Sequence, residues 1–508
     1  MGLFQLEGSG MTKHLTELKP TSIFDIMAMV ALYRPGPMAI IPEYISRKHD
    51  AAKITYFDPR MKAYLERSLG LLVYQDDVLL TAINIAGYSW EEADKFRKAM
   101  GKKIPSEMAK QKDHFIEGCV KNGMDQKKAE ELFSLIEPFA AYGFNKAHAA
   151  SYAMTAYQTA YMKANFPVEF MAAVMTAESG DTDKIAAAIG ECKRLGIVVF
   201  PPEVNKSLVG FSLETLKELS KEELEKQLTD VTKKEAGNQG IRFGLSAIKN
   251  VGVLAIESII KARENPPAGG GEFTSLHDLC RRVDTRLVNR KTLESLIKAG
   301  ALDLFGSRAA LLLVLDQVLE ESHKKAKSIA SGQTSLFESL NHEDGSLDIK
   351  LPDVAELPLE QLLIFEKDLL GFYLHEPPFL SKLAQIPDFV TKRIADLGDE
   401  HIGQKLTLGG VITEVKKVLT KKTASEMAFI KISDGSSDVE CVVFPATFGT
   451  CRDFLVKDEV VLMWGRIDKR EETLSLVVEN IAPFDPDNAE RKEREIEIIV
   501  PKGTDISV

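Results

Sequence analysis

The sequence predicts a multidomain, mainly α chain followed by a small β barrel, and three observations carry the prediction. Its 508 residues are enough for roughly three or four domains of ordinary size. Apolar residues recur at helical spacing through the first two hundred positions. Between Lys405 and Phe484 the alternation changes to period two, in five runs separated by turn residues.

Arg34-Pro35-Gly36-Pro37 cannot continue a helix, so it must form a shaped turn. Residues 89–100 open with Ser89 as N-cap and acids in the first turn. Residues 107–122 and 125–136 follow as short amphipathic helices, with Gly123 as the stop between them. Residues 147–165 continue in the same manner and end before Phe166-Pro167. Together these segments make a helical domain over 1–205.

Over 206–327 the pattern differs. The run 213–235 is charged and nearly repetitive, the mark of a solvated helical excursion held by i,i+4 ion pairs. From Ile241 two helices are expected, joined by the tight turn Lys249-Asn250-Val251-Gly252, and a related helix–turn–helix run covers 287–306. Two such units in tandem read as a repeated helix-hairpin-helix. Residues 328–395 read as a linker, because 328–349 is loop-like and 338–368 carries many more acids than bases. The strands of 396–486, with one short helix near 446–455, match the count of an OB-type barrel. Residues 487–508 start charged and become strand-like, the expected beginning of a truncated C-terminal region.

Composition excludes several classes. The chain is 44% hydrophobic and 27% charged, with 34 Gly and 21 Pro, so wholesale disorder and fibrous repeats are out. No apolar run approaches the roughly 20 residues that span a bilayer. The first residues lack a basic n-region and a cleavage pattern, so a cytoplasmic chain with no membrane partner is expected. Cys119, Cys192, Cys280, Cys441 and Cys451 are scattered, which argues against a disulfide framework and a zinc site. The net charge of −11 argues against a uniformly basic coat, yet an acidic chain can focus positive charge in one groove.

Two clusters carry chemistry. Within the basic segment 95–128, Arg97 and Lys98 lie one helical turn before Gly101-Lys102-Lys103, so Lys98 neighbours Lys102 on one face. A cationic face ending at a glycine can cradle a polyanion such as a triphosphate; a solvated basic helix is the plainer reading. The second cluster, 142–152 (YGFNKAHAASY), sets a cation, an amide, an imidazole, a hydroxyl and aromatics on a loop entering a helix. Asn145 is placed to cap that helix, whose start presents N–H groups to anions. The aromatics can stack on a base. His148 by itself is more often a packed histidine than a catalyst.

Further along, the turn at Asn250-Val251-Gly252 can offer backbone N–H groups to a DNA phosphate, with Lys249 and Lys261 adding charge. A purely structural hairpin is the alternative. Asn250 stands where such turns usually have glycine, and asparagine tolerates the left-handed conformation best after it. In the polar linker, Gln333-Thr334-Ser335-Leu336-Phe337 exposes Leu beside Phe, which a groove-binding peptide requires and a soluble linker does not. The barrel offers Lys416, Lys417, Lys421 and Lys422 near its first strand, with Phe444, Phe448 and Trp464 as candidate stacking faces for single-stranded DNA. The alternative is that the aromatics fill the barrel core, which is the expectation for Trp464.

Five motifs stand in order: GLFQLEGSGM at 2–11, ALYRPGP at 31–37, GLLVYQDDV at 70–78, RKAMGKK at 97–103 and YGFNKAHAASYA at 142–153. In that register they resemble the fingers of the alpha subunits of bacterial DNA polymerase III, the C-family replicative polymerases. The tandem hairpins, linker and OB barrel follow in that family's order, so the resemblance covers essentially the whole chain. It implies a nucleotide-binding pocket drawn from Arg34, Tyr74, Gln75, Arg97, Lys98, Lys102, Lys103, Asn145, Lys146, His148, Ser151 and Tyr152. Arg97, Lys98 and the glycine–lysine loop would face the triphosphate, and 142–152 would build the nucleotide and template side. Gln333, Leu336 and Phe337 would bind a sliding clamp, and the barrel would hold the template strand. Two departures stand out. The chain reads Tyr74-Gln75-Asp76-Asp77 where the family usually has YQEQ, which puts any phosphate contact by Asp77 in doubt. Lys98 replaces a common arginine, keeping the charge and losing the planar fork.

Nucleotidyl transfer needs two divalent ions held by carboxylates. In the family resembled, those acids belong to a palm upstream of the first motif. The resemblance therefore implies magnesium held outside this chain, no catalytic residue or metal ligand within it, and no primer extension by it alone. Asp181-Thr182-Asp183 has a matching spacing but reads as a helix cap. The implied partners are primed template DNA and single-stranded DNA, deoxynucleoside triphosphates, a sliding clamp, the palm-containing portion and other replisome subunits. A stand-alone, non-catalytic DNA- and clamp-binding module is the competing class, and a nucleotidyl transferase built on Asp181 and Asp183 is the third.

Overall fold

The computed structural model describes all residues except 103–104, 141–142, 216–238, 265–270, 331–349, 376–377, 421–424, 436, 471–472 and 486–508. Lys103, Tyr142, Lys421, Lys422, the peptide with Gln333, Leu336 and Phe337, nearly all of the charged run after Leu213 and the segment 487–508 lie outside the described residues. The chain divides into two compact units, Met1–Phe372 and Tyr373–Val508.

The first unit opens with α1 (Ser9–Leu18), α2 (Ile23–Leu32), α3 (Ile41–His49), the short α4 (Lys62–Leu65) and α5 (Gln75–Asn84). There follow α6 (Trp90–Lys102), α7 (Pro105–Lys121), α8 (Gln126–Ala140), α9 (Lys146–Asn165), α10 (Pro167–Ala177) and α11 (Thr182–Arg194). The expected helices are present, with boundaries within a few residues. Ser89 and Glu92 cap α6 reciprocally, the Ser89 N–H donating to Glu92 Oε2 at 2.8 Å and the Glu92 N–H to Ser89 Oγ at 3.3 Å. Gly123, at φ +87°, ends α7.

Among the described residues, two apolar cores fix the helices from α1 to α9. The helix α2 is apolar almost all round, so it is buried on nearly every side, and Ala149, Ala153 and Ala156 of α9 lie in the same core. A second core sits beneath α4 to α8, built on Phe96, Phe115 and Phe133.

Beyond α11 the structure corrects the sequence reading. Val199–Phe200 (β1), Ser212–Thr215 (β2) and Gln239–Arg242 (β3) form a small sheet in the order β1-β3-β2. Ile241 was expected to start a helix and instead lies in β3. Ile241 and Phe243 are buried, and Arg242 between them is buried too because Glu214 of β2 grips its guanidinium with both oxygens. The first hairpin is therefore a 3₁₀ turn (Leu245–Ala247) followed by α12 (Val253–Glu264). After α13 (Leu276–Arg282), the second hairpin is α14 (Arg290–Lys298) followed by a 3₁₀ turn (Asp303–Phe305) and α15 (Arg308–Ala330).

The linker reading is also corrected. Residues 328–330 continue α15, and α16 (Leu359–Leu370) buries Leu362, Leu363, Leu369 and Leu370. Glu366 is fully buried, and its Oε1 accepts from Arg308 Nη1 at 3.0 Å. An acid counted as solvated charge is an internal counter-ion.

In the second unit, α17 (Pro378–Leu383) precedes strands β4 (Lys405–Leu419), β5 (Glu426–Ser433) and β6 (Asp438–Val443), then α18 (Pro445–Cys451), β7 (Val460–Arg470) and β8 (Thr473–Pro483). The strands close as β4-β5-β6-β8-β7, the barrel read from the period-two pattern. Val461 and Met463 point into its core beside Leu408, Ile430 and Phe448. Trp464, expected in that core, lies on the opposite face of β7. There it is half-buried on an outer cluster with Ile386, Phe389, Leu462 and Phe484, as strand alternation after Met463 requires. All five cysteines are buried free thiols. Among the described residues no helix is long and apolar enough to cross a membrane.

Candidate functional site

The start of α9 is held from two sides. Asn145 Oδ1 accepts the His148 N–H at 2.8 Å, the cap expected from the sequence. The preceding loop is fastened by α5: the Gln75 N–H donates to Phe144 O at 2.9 Å, and Gln75 Nε2 to Gly143 O at 2.8 Å. Asp76 Oδ2 accepts the Lys146 N–H at 3.0 Å. Tyr74 is buried, with the Lys146 ammonium 5.3 Å from its ring centre. Tyr74 and Gln75, two residues expected at the nucleotide, thus hold the loop that carries other site residues. Asp77 is buried as well, accepting the Val73 and Tyr74 N–H groups at 2.9 Å, and burial pushes its carboxyl up to about 6. It is the cap of α5 and faces no solvent.

The N-terminal loop, the end of α2 and the first turns of α9 enclose a cleft of about 330 Å³ lined by Gln5, Gly8, Met11, Val30, Tyr33, Arg34, Phe144, His148 and Tyr152. The Arg34 guanidinium sits 4.5 Å from the Phe144 ring centre, and its Nε donates to Ala31 O at 3.2 Å. The His148 ring lies 4.1 Å from Tyr152, and Phe4 lies 5.1 Å from Tyr152 on another side. A cation, an imidazole, an amide and several ring faces around one space suit a ligand that is both anionic and planar.

Of the residues expected here, Arg34, His148 and Tyr152 line the cleft together. Ser151 is exposed, its hydroxyl donating back to Ala147 O at 3.1 Å. Gln5 and Tyr33 were not singled out. Both stand in the first two motifs: Gln5 takes a left-handed φ of +61°, and a Cβ on Gly10 would collide with the Tyr33 hydroxyl.

Arg97 and Lys98 lie on α6 and are not among the residues lining the cleft. Arg97 is half-buried and Lys98 exposed, and both pair with Asp94, at 2.7 Å in each case. Lys102 ends the helix.

At the first hairpin Asn250 takes φ +68°, the left-handed turn that asparagine tolerates, and the space beside Gly252 is open. Lys249 and Lys261 are exposed, and neither forms an ion pair with another described residue. On the barrel, Lys416 and Lys417 are exposed near the end of β4 and alternate across it. Phe448 is buried in the core, Trp464 packs outside it, and Phe444 is 41% exposed, which leaves Phe444 as the accessible ring of the three.

Among the described residues no three His, Cys, Asp or Glu side chains cluster to hold a metal ion. Asp181 caps α11 by accepting the Asp183 and Lys184 N–H groups at 3.1 Å, and Asp183 is exposed. These carboxylates do not fit a paired magnesium site.

Three segments match known families. Residues 1–123 match the bacterial DNA polymerase III alpha subunit finger domain, 196–311 the helix-hairpin-helix motif and 406–484 the OB-fold nucleic acid binding domain. DNA polymerase III subunit alpha of Xylella fastidiosa (strain Temecula1) is 36% identical over 486 residues, covering 92% of this chain and 38% of that protein. The Thermus aquaticus subunit is 38% identical over 481 residues, covering 93% and 36%. The Bacillus subtilis subunit is 36% identical over 491 residues, covering 96% and 41%. The chain thus spans well under half the length of these relatives.

Proposed function

The chain belongs to the alpha-subunit family of bacterial DNA polymerase III, and from that premise we propose that it serves template-directed addition of deoxynucleotides to a primer 3′ end. In this reading it positions the deoxynucleoside triphosphate, grips primed template DNA and tethers the enzyme to a sliding clamp. The observation that carries the reading is the cleft joining Arg34, His148 and Tyr152 at the start of α9.

Each part has a physical role. Arg34, fixed against Phe144, supplies positive charge, while the Tyr152 and His148 rings offer faces to a base or sugar. Arg97 and Lys98, with Lys102 and Lys103, neutralise phosphate charge, which lowers the cost of bringing a polyanion to the primer. The Asn250–Gly252 turn with Lys249 and Lys261 touches the DNA backbone without reading sequence. Lys416, Lys417, Lys421, Lys422 and Phe444 hold single-stranded template. Gln333, Leu336 and Phe337 bind the clamp, which raises the local concentration of enzyme at the primer. Magnesium would be held by carboxylates on another segment, together with the remaining replisome contacts.

A second reading, a non-catalytic DNA- and clamp-binding module, draws on the open turn at Asn250–Gly252 and the exposed lysines of β4. Nucleotide binding separates the two. Retention of labelled dATP by the chain on primed DNA should fall at least about tenfold when Arg34→Gln and His148→Ala are combined, since two direct contacts are lost. Retention unaffected by both changes would contradict the nucleotide reading and leave the module.

A further inference from the structure

Asp94 lies one helical turn before Arg97 and Lys98 on α6, and its single carboxylate engages both. Arg97 donates to Oδ1 through Nη2 at 2.7 Å and Nε at 3.1 Å, while Lys98 Nζ meets Oδ2 at 2.7 Å. The spacings i,i+3 and i,i+4 are the two that bring helical side chains together. One edge of the guanidinium fork, the arrangement that grips a phosphate bidentately, is thus already holding a carboxylate. Hydrogen bonds from Lys98 and Arg97 keep the Asp94 carboxyl below its ordinary range, so it is negative at neutral pH. The three side chains remain 36% to 61% exposed, so water reaches the pairs and they exchange readily.

We infer that Asp94 is a built-in competing anion, occupying the Arg97–Lys98 pair until a polyphosphate displaces it. The inference rests on the phosphate reading of Arg97 and Lys98 given above. The carboxylate competes intramolecularly, at a high effective concentration, so every incoming anion meets the same handicap. A single phosphate, held by few contacts, falls below useful affinity, whereas a triphosphate has charge to spare. The same contact keeps two adjacent cations from repelling each other while the site is empty.

Calorimetric titration of the whole chain with sodium tripolyphosphate tests this. Asp94→Asn preserves the side-chain shape and should tighten binding roughly fivefold, while Asp94→Glu should not. In an Arg97→Gln, Lys98→Gln background the Asp94→Asn gain should vanish. A gain that persists there is a bulk charge effect and overturns the inference. Binding that Asp94→Asn leaves unchanged or weakens, while Arg97→Gln with Lys98→Gln abolishes it, also overturns the inference but spares the phosphate reading. Binding indifferent to Arg97→Gln and Lys98→Gln removes both.

Discussion

Around Asn250 the chain turns through a left-handed residue with Gly252 beside it in open space, whereas the related turn at Gly300, φ +80°, is filled from within by Arg308. Arg308 is 2% exposed. It reaches Asp303 at 3.0 Å, Glu366 at 3.0 Å and Lys298 O at 3.0 Å. At the second turn the Ala299, Gly300 and Ala301 N–H groups all bond to carbonyls of α14. Its lysine, Lys298, is committed to Glu294 and lies 4.7 Å from the Phe365 ring centre. The side chains of Lys249 at the first turn and of Lys261 in the last turn of α12 have no such commitment. Both copies touch α16, the first by the Lys249 N–H donating to Leu369 O at 3.1 Å and the second by the Arg308–Glu366 pair; the first leaves Gly252 in open space, and the second is filled. What separates them is a buried charge, which turns a potential phosphate cradle into a joint.

The largest expected effect breaks the joint. Arg308→Ala removes the ion pair that Arg308 makes with the fully buried Glu366 and should cost about 3–5 kcal/mol in the urea unfolding of the helical unit. Pairing Arg308→Met with Glu366→Leu should recover most of that loss, because the desolvation penalty goes with the charges. A loss under about 1 kcal/mol from Arg308→Ala would mean the second turn is not held as described.

A smaller effect sharpens the open side. Lys249→Gln with Lys261→Gln should make the salt dependence of duplex DNA binding shallower by about two units on a log–log plot. Lys298→Gln, at the closed turn, should leave that slope unchanged. Equal effects from both changes would erase the distinction between the turns.

Local pattern made much of this legible in the sequence. The barrel announced itself by period two, Asn145 by its place before a helical run, and Asn250 by its tolerance of the left-handed turn. Partners far apart in sequence hid the rest. Arg242 broke the alternation of β3 because its counter-ion, Glu214, lies 28 residues earlier. Glu366 passed for linker charge because Arg308 stands 58 residues away. Trp464 was assigned inward because the outer cluster that receives it draws on Ile386, Phe389 and Phe484, none of them near it in the chain. Gln5 and Tyr33 reach the cleft from separate segments: α2 packed against α9 brings Tyr33, and the N-terminal loop, whose Phe4 N–H donates to Thr159 Oγ1 at 3.1 Å, brings Gln5.

Under the proposed function the chain grips DNA and nucleotide, and the metal-binding carboxylates lie on another segment. Primer extension by the chain alone, with magnesium and all four deoxynucleotides, tests it most directly when run beside binding to the same primed DNA. Binding with no extended primer is the expected result. Extension that survives Asp181→Asn with Asp183→Asn would contradict it outright, and extension abolished by that pair would move the chemistry to the start of α11.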